Sequence, residues 1–298
     1  MLIINAEQEY ACKNTLAGLL GLEAGERLVI FVDFGRSWLA RGMAQAGSGL
    51  GLDVRVKVLG RETSRIKVDA ELSALDAGDV VLSALSAGLE PPAWASLFPA
   101  LSSPPGFTGR SVAIRSSVPG PVLLRMLSSD AGQVEEQVQG VLTYNACNHL
   151  EVTAPGGAVV SFPARKFHVF TLEVGRIIAV DVTAGECVAG GKLLDPLGRV
   201  DRPVVLAVEH GMVASITGQR RADRLRACLA HLEPSCRLVV ELGFGLSQGI
   251  PTGCIAADEC LAGTCHFGLG DNLFFRGANQ APVHLDLVVA HPTLRVAD

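Results

Sequence analysis

Residues 258–294 read DECLAGTCHFGLGDNLFFRGANQAPVHLDLVVAHPTL, and near their end a histidine and an aspartate stand two positions apart in an apolar run, Val283-His284-Leu285-Asp286-Leu287-Val288-Val289. An extended chain projects residues i and i+2 to the same face, so His284 and Asp286 point together while Val283, Leu285 and Leu287 point away. One face of this strand reads as core and the other as a site. A buried imidazole beside a carboxylate is either satisfied by an ordinary ion pair or held by something positive, and a metal ion is the usual positive partner of that combination.

Working outward, 298 residues suffice for two domains or one large one, and the changes of pattern along this chain favour two. Hydrophobic residues make up 49% and charged residues 18%, which fits large buried cores and excludes a disordered chain. A net charge of -5, with no basic run longer than GQRRADRLR (218–226), leaves no electrostatic footprint for nucleic acid. Arg220, Arg221, Arg224, Leu225, Cys228 and Leu229 in and after that run predict an amphipathic helix with a solvated basic side. The apolar runs are short and broken by Gly, Pro or charge, and MLIINAEQEYACKN at the start lacks the basic flank and apolar core of a signal peptide. The expectation is a cytoplasmic protein without a membrane segment. Its eight cysteines show no C-x-x-C spacing and read mostly as small buried hydrophobes. Cys254, Cys260 and Cys265 lie closer together, but their spacings match no structural zinc pattern.

The first half alternates two periods. RLVIFVDFG (27–35), DVRVKVLG (53–60), DVVLSALS (79–86) and RSVAIRSS (110–117) are buried-strand runs, and RSWLARGMAQAGSGLG (36–51), VDAELSALDAG (68–78) and PAWASLFPAL (92–101) are helical stretches between them. Such alternation predicts an α/β domain with a mainly parallel sheet. Helical material over 119–145 closes this domain, placed at 1–143. From residue 144 to 298 strands dominate: HLEVTAP, AVVSFPA, KFHVFTLEV, RIIAVDVT, VVLAVEHGMVASITG, RLVVELGFGLSQG and PVHLDLVVAHPTLRV, with one helix at about 219–233. Turns rich in Pro and Gly make this second domain antiparallel, β-rich and barrel-like, an α+β unit. The glycines of AGSGLGLD (46–53) lie where a helix feeds a strand, the reverse of a dinucleotide loop, and DFGRSW (33–38) holds a single glycine.

Candidate metal ligands concentrate in the second domain, close to glycines. Glu186 lies in AGECVAGG, Glu241 in VVELGFG and His266 in LAGTCHFGLGDN, with His284 and Asp286 completing two histidines and three carboxylates. Gly243, Gly263 and Gly268 beside them allow close approach of backbones. Taken singly, Glu186 equally well caps a turn, Glu241 equally well ends a solvated strand, and His266 is more simply a core histidine.

The chain resembles the thermophilic metallo-aminopeptidases (aminopeptidase T and S) and their relatives, among them the 2,5-dihydroxypyridine dioxygenases. The similarity runs through LAGLLGLEAGERLVIFVDFG, VTAPGGAVVSF, AGECVAG, VEHGMVASITGQRRADRLR and VVELGFGLSQG. It is most specific in the opening stretch, which is similar to the family's DE-x(3)-G-T-x-H-x-(A/G)-L-G followed by N-x-(S/A)-x-(I/V)-H-x-D. The resemblance implies metal ligands at Glu186, Glu241, His266, His284 and Asp286, with Glu186 and Glu241 as the catalytic carboxylates. In the aminopeptidases this set holds two divalent ions, zinc, cobalt or magnesium, that polarise a peptide carbonyl and activate water. In the dioxygenases two histidines and one carboxylate hold ferrous iron, with a histidine where this chain has Glu241. The resemblance also implies a homodimer.

Three departures from the family temper the hydrolase reading. The family's N-L-P-x-G-E-V-F-x-A-P has become VDVTAGECVAGG, the loop after it is shortened, and Leu273 stands where the aminopeptidases have a tyrosine. Groups around a metal's ligands matter about tenfold to a hundredfold for affinity, so their loss bears on competence. The reading is therefore a metal-dependent aminopeptidase-like protein acting on a peptide. The alternative is a peptide-binding protein that keeps the fold without catalysis, and a ferrous ring-cleaving dioxygenase comes third.

Overall fold

The computed structural model describes residues 4–60, 63, 65–85, 110–114, 118–154, 158–163, 168–172, 175–181, 186–191, 204–273 and 277–297. The chain divides into two compact units, Met1–Gly132 with Thr171–Gly175, and Gln133–Phe170 with Arg176–Asp298. The stretch expected as a helix at 92–101 lies outside the described residues.

In the first unit a four-stranded sheet, β1 (Arg27–Asp33), β2 (Asp53–Leu59), β3 (Val80–Ala84) and β4 (Arg110–Ile114), has the order β2-β1-β3-β4 with every pair parallel. β1 is central and buried from Leu28 to Asp33, as its unbroken apolar run requires. Parallel neighbours need crossovers, and the helices Ser37–Gly49 and Arg65–Ser73 supply those from β1 to β2 and from β2 to β3. Val29, Phe31 and Val81 of the strands pack with Val68 and Leu72 of the second helix. The glycines of AGSGLGLD close a helix-to-strand turn, where Gly51 takes φ +79. A helix not anticipated from the apolar pattern, Ala6–Lys13, opens the chain. Asn5 caps it by accepting from the Gln8 amide N–H, while the Gln8 side chain accepts from the Asn5 N–H.

The remaining strands are β5 (His149–Ala154), β6 (Ala158–Pro163), β7 (His168–Leu172), β8 (Gly175–Asp181), β9 (Glu186–Gly191), β10 (Val204–Glu209), β11 (Met212–Thr217), β12 (Val239–Phe244), β13 (Thr264–Gly270), β14 (His284–Ala290) and β15 (Thr293–Ala297). They form a six-stranded sheet, β11-β10-β9-β6-β5-β15, and a five-stranded sheet, β14-β13-β12-β8-β7. The pairs from β11 through to β15, and those from β14 through to β8, are antiparallel. The hairpin β10–β11 turns at His210 (φ 51) and Gly211 (φ 79), the two left-handed residues that a tight hairpin turn needs. The helix Arg220–Ala230 buries Ala222, Leu225 and Leu229 and leaves Arg220 and Arg224 exposed. Cys228, expected on its apolar side, is exposed, because the buried row runs through 222, 225 and 229. Among the described residues no helix is long and apolar enough to cross a membrane.

Candidate metal centre

Three neighbouring strands of the five-stranded sheet build the site. Register places Glu241 of β12, Gly268 of β13 and Asp286 of β14 in one row, and Gly243, His266 and Val288 in the next row on the same face. Gly270 and His284 form the row beyond. The alternate row, Leu242–Phe267–Leu287, belongs to the opposite face and is buried throughout. One face of the sheet is thus apolar core, and the other carries two histidines and two carboxylates.

Glycines make room for them. A Cβ on Gly243 would lie 2.1 Å from Cε1 of His266, and one on Gly268 would lie 2.7 Å from Cε1 of His284 and 2.8 Å from Oε2 of Glu241. The two missing side chains leave a well in the sheet face into which the cluster folds.

Within it, Glu241 Oε1 is 3.2 Å from His266 Nε2, and Glu241 Oε2 is 3.0 Å from His284 Nε2. His284 Nε2 is also 3.0 Å from Asp286 Oδ1. Glu241 and His266 are each 2% exposed, whereas the His284 side chain is 26% exposed and so reaches the mouth of the well. Burial by itself would raise the Glu241 carboxyl, but the two imidazoles outweigh it and hold it below the ordinary carboxylate range. Burial likewise opposes protonation of His266, yet Glu241, with Glu259 and Asp286, carries it up to about 9. For His284 burial is again outweighed, here by Asp286 and Glu241, which push the imidazole up to about 11. Without a cation the cluster is therefore an imidazolium–carboxylate network.

Glu259 is a further member that periodicity did not single out. It follows the helical turn Ile255–Asp258 and is 1% exposed. The Asp258 carboxylate anchors that turn by accepting from the amides of Thr252 and Gly253 and from the Thr252 hydroxyl. Two groups of metal-binding character result, Glu241–His284–Asp286 and Glu259–His266–Asp286, in each of which one ligand atom per residue lies within 4.8 Å of the others. They share Asp286. The signal for Glu259 was its place in the opening stretch, seven residues before His266.

Of the five residues expected as ligands, Glu241, His266, His284 and Asp286 converge. Glu186 opens β9 in the six-stranded sheet, opposite Ser161 of β6, and its side chain lies outside the described residues. Cα of Asp181, five residues before it, pairs with Cα of Glu241 across β8 and β12.

No protein-family model matches the chain, and no curated protein matches its sequence. Solved structures do match. The 2,5-dihydroxypyridine dioxygenase from Pseudomonas putida KT2440 superimposes with a TM-score of 0.70 at 16% identity, over 99% of this chain and 95% of that one. AmpT from Thermus thermophilus superimposes with a TM-score of 0.59 at 13% identity, over 97% and 94%. The chain has their fold. Both branches that the sequence resembles are thus its structural neighbours, and the likeness extends over nearly the whole chain rather than over the C-terminal motif alone.

Proposed function

We propose that the protein is a metal-dependent hydrolase of the aminopeptidase type, acting on a peptide at the cluster of Glu241, Glu259, His266, His284 and Asp286. The observation that carries the reading is the pair of ligand groups sharing Asp286, each with one imidazole and two carboxylates. Among the described residues the cluster sets three carboxylates beside two imidazoles, a donor set that suits a divalent cation. Nδ1 of His266, buried and without a hydrogen-bond partner among the described residues, fits a site completed by a cation.

Zinc, cobalt or magnesium held there would supply Lewis acidity and a more acidic water. The chain's own contribution is placement and proton handling. Glu241, whose two oxygens reach both imidazoles, orients the rings, and the resemblance would give Glu241 and Glu186 the proton of an attacking water. His284, at the mouth of the well, borders the place where a peptide would enter. Glu241 stands where the resembled dioxygenases have a histidine, which favours the hydrolase over the two-histidine, one-carboxylate arrangement that suits ferrous iron. Homodimer formation belongs to the proposal on the strength of the resemblance, and a cytoplasmic location on the strength of the short apolar runs and of a start, MLIINAEQEYACKN, unlike a signal peptide.

The test pairs free and N-acetylated peptides with protein loaded in turn with zinc, cobalt and magnesium. Release of the first residue from the free peptides only, reduced about a hundredfold or more in Glu241→Gln, is the expected result. Tight peptide binding without cleavage under every loading would replace the hydrolase with the non-catalytic binder. Oxygen consumption with ferrous iron and a dihydroxylated ring would replace it with the dioxygenase.

A further inference from the structure

The cluster depends on which nitrogen His284 turns toward the carboxylates. Its Nδ1 lies 2.6 Å from the carbonyl oxygen of Asp271, an atom that only accepts, so Nδ1 carries a proton and Nε2 faces Glu241 and Asp286. Asp271 is the first residue after β13, in the connection that returns the chain to β14.

One residue ties down that connection from both sides of Asp271, its side chain at Gly270 and its backbone at Asn272. The Asn279 carboxamide nitrogen donates to the carbonyls of Gly270 (2.6 Å) and Ser235 (3.0 Å). Its backbone exchanges two bonds with Asn272: the Asn279 amide donates to Asn272 Oδ1 (2.8 Å), and the Asn272 amide donates to the Asn279 carbonyl (3.0 Å). Asp271 is flanked by these two anchored residues, and its own amide donates to the carbonyl of Val283, the residue before His284 (2.8 Å). The fit leaves no slack. A Cβ on Gly270, whose φ is +94, would lie 2.2 Å from the Val283 oxygen, and one on Gly277 would lie 2.1 Å from Cγ of Asn272.

We propose that Asn279 is a positioning residue for His284: it holds the Asp271 carbonyl where that oxygen accepts a hydrogen bond from Nδ1–H, and so sets which ring nitrogen the cluster receives. Among the described residues the hydrogen bonds of Asn279 go to Gly270, Asn272 and Ser235 and to none of the five clustered residues, so it acts through the backbone of Gly270, Asp271 and Asn272. Where the cluster takes up a cation, as proposed above, this fixing of the ring strengthens binding, as hydrogen bonds behind metal-bound histidines do.

The experiment is ring-nitrogen NMR of histidine-labelled protein, with and without zinc, alongside zinc titration calorimetry. In wild-type protein the Nδ1 proton of His284 is expected to exchange slowly in both states. In Asn279→Ala it should exchange at least about tenfold faster, and zinc binding should weaken about tenfold to a hundredfold. Asn279→Ser, which keeps one donor on a short stem, should fall between the two, and it carries the test if the alanine variant does not fold. The change in ring-proton exchange should be confined to His284 and leave the His266 ring as in wild type, because the effect runs through the Asp271 carbonyl. Unchanged His284 proton exchange in a folded Asn279 variant, or an equal change at His266, would overturn the proposal. If wild-type protein takes up neither zinc, cobalt nor magnesium, the hydrolase reading fails, and proton exchange still decides the role of Asn279.

Discussion

At Gly243 and Gly268 the missing side chain is the structural contribution, because each leaves space that an imidazole and a carboxylate then fill. Gly268→Ala would set a methyl group 2.7 Å from His284 and 2.8 Å from Glu241, so repacking is expected to cost about 1–3 kcal/mol and to displace both groups. A lower denaturant midpoint together with lost cation uptake checks this, and wild-type behaviour on both counts would contradict the described well. The histidines make a second prediction, for cation-free protein. Their folded values of about 9 and about 11 lie above the ordinary value near ~6.5, so the stability they contribute is full below that value and is lost as pH rises through 9 and then 11. Glu241 has the opposite sign: held low, it contributes above the ordinary carboxylate range and loses that contribution as pH falls through its folded value. Chemical denaturation of chelator-treated protein should therefore show a midpoint that falls from about pH 6.5 upward and levels off above about pH 11. A midpoint that rose there would contradict the imidazolium–carboxylate network. At this scale the sequence told an uneven story. A period of two was enough to put His284 and Asp286 on one face, whereas linking them to Glu241 and His266 took the family resemblance, since strand partners distant in sequence leave no periodic trace. Glu259 follows a four-residue helical turn, which is too short to show any period.

Among the elements, those with long apolar runs were the readable ones. β1 and β3 announce themselves as continuous buried strands, and the helices between them follow from the alternation. β12 stops at Phe244 although the apolar pattern of RLVVELGFGLSQG runs on, because the backbone at Gly245 passes too close to Leu261 for a side chain: a Cβ there would be 2.2 Å from the Leu261 oxygen. β9, Glu186–Gly191, escaped the pattern because its two terminal glycines weaken the strand signal, and its place in the sheet comes from pairing with β6 and β10. The helix Ala6–Lys13 is signalled by its Asn5-x-x-Gln8 cap and not by an apolar stripe. Asn5→Ala is accordingly expected to cost about 1 kcal/mol while leaving cation uptake unchanged. Thermal unfolding with parallel calorimetry checks both halves, and a change in cation affinity would mean that this helix bears on the site.

Across the whole molecule, the α/β sheet and the antiparallel strands that follow it agree with the pattern of the chain, and two solved structures share the fold over nearly its full length. That agreement comes from many weak local signals that point the same way, so it does not depend on single residues such as those around Glu186. The chemistry has no such redundancy, since it rests on a handful of side chains in one well. The most direct measurement is therefore elemental analysis of protein dialysed against zinc, cobalt and magnesium, for the wild type and for His284→Ala and Asp286→Ala. We expect about one or two equivalents retained by the wild type and lost by both variants, with a cation-dependent stabilisation of about 2.7 kcal/mol at a hundredfold excess over Kd. Retention of no cation by the wild type, or equal retention by the variants, would contradict a metal centre at Glu241, Glu259, His266, His284 and Asp286.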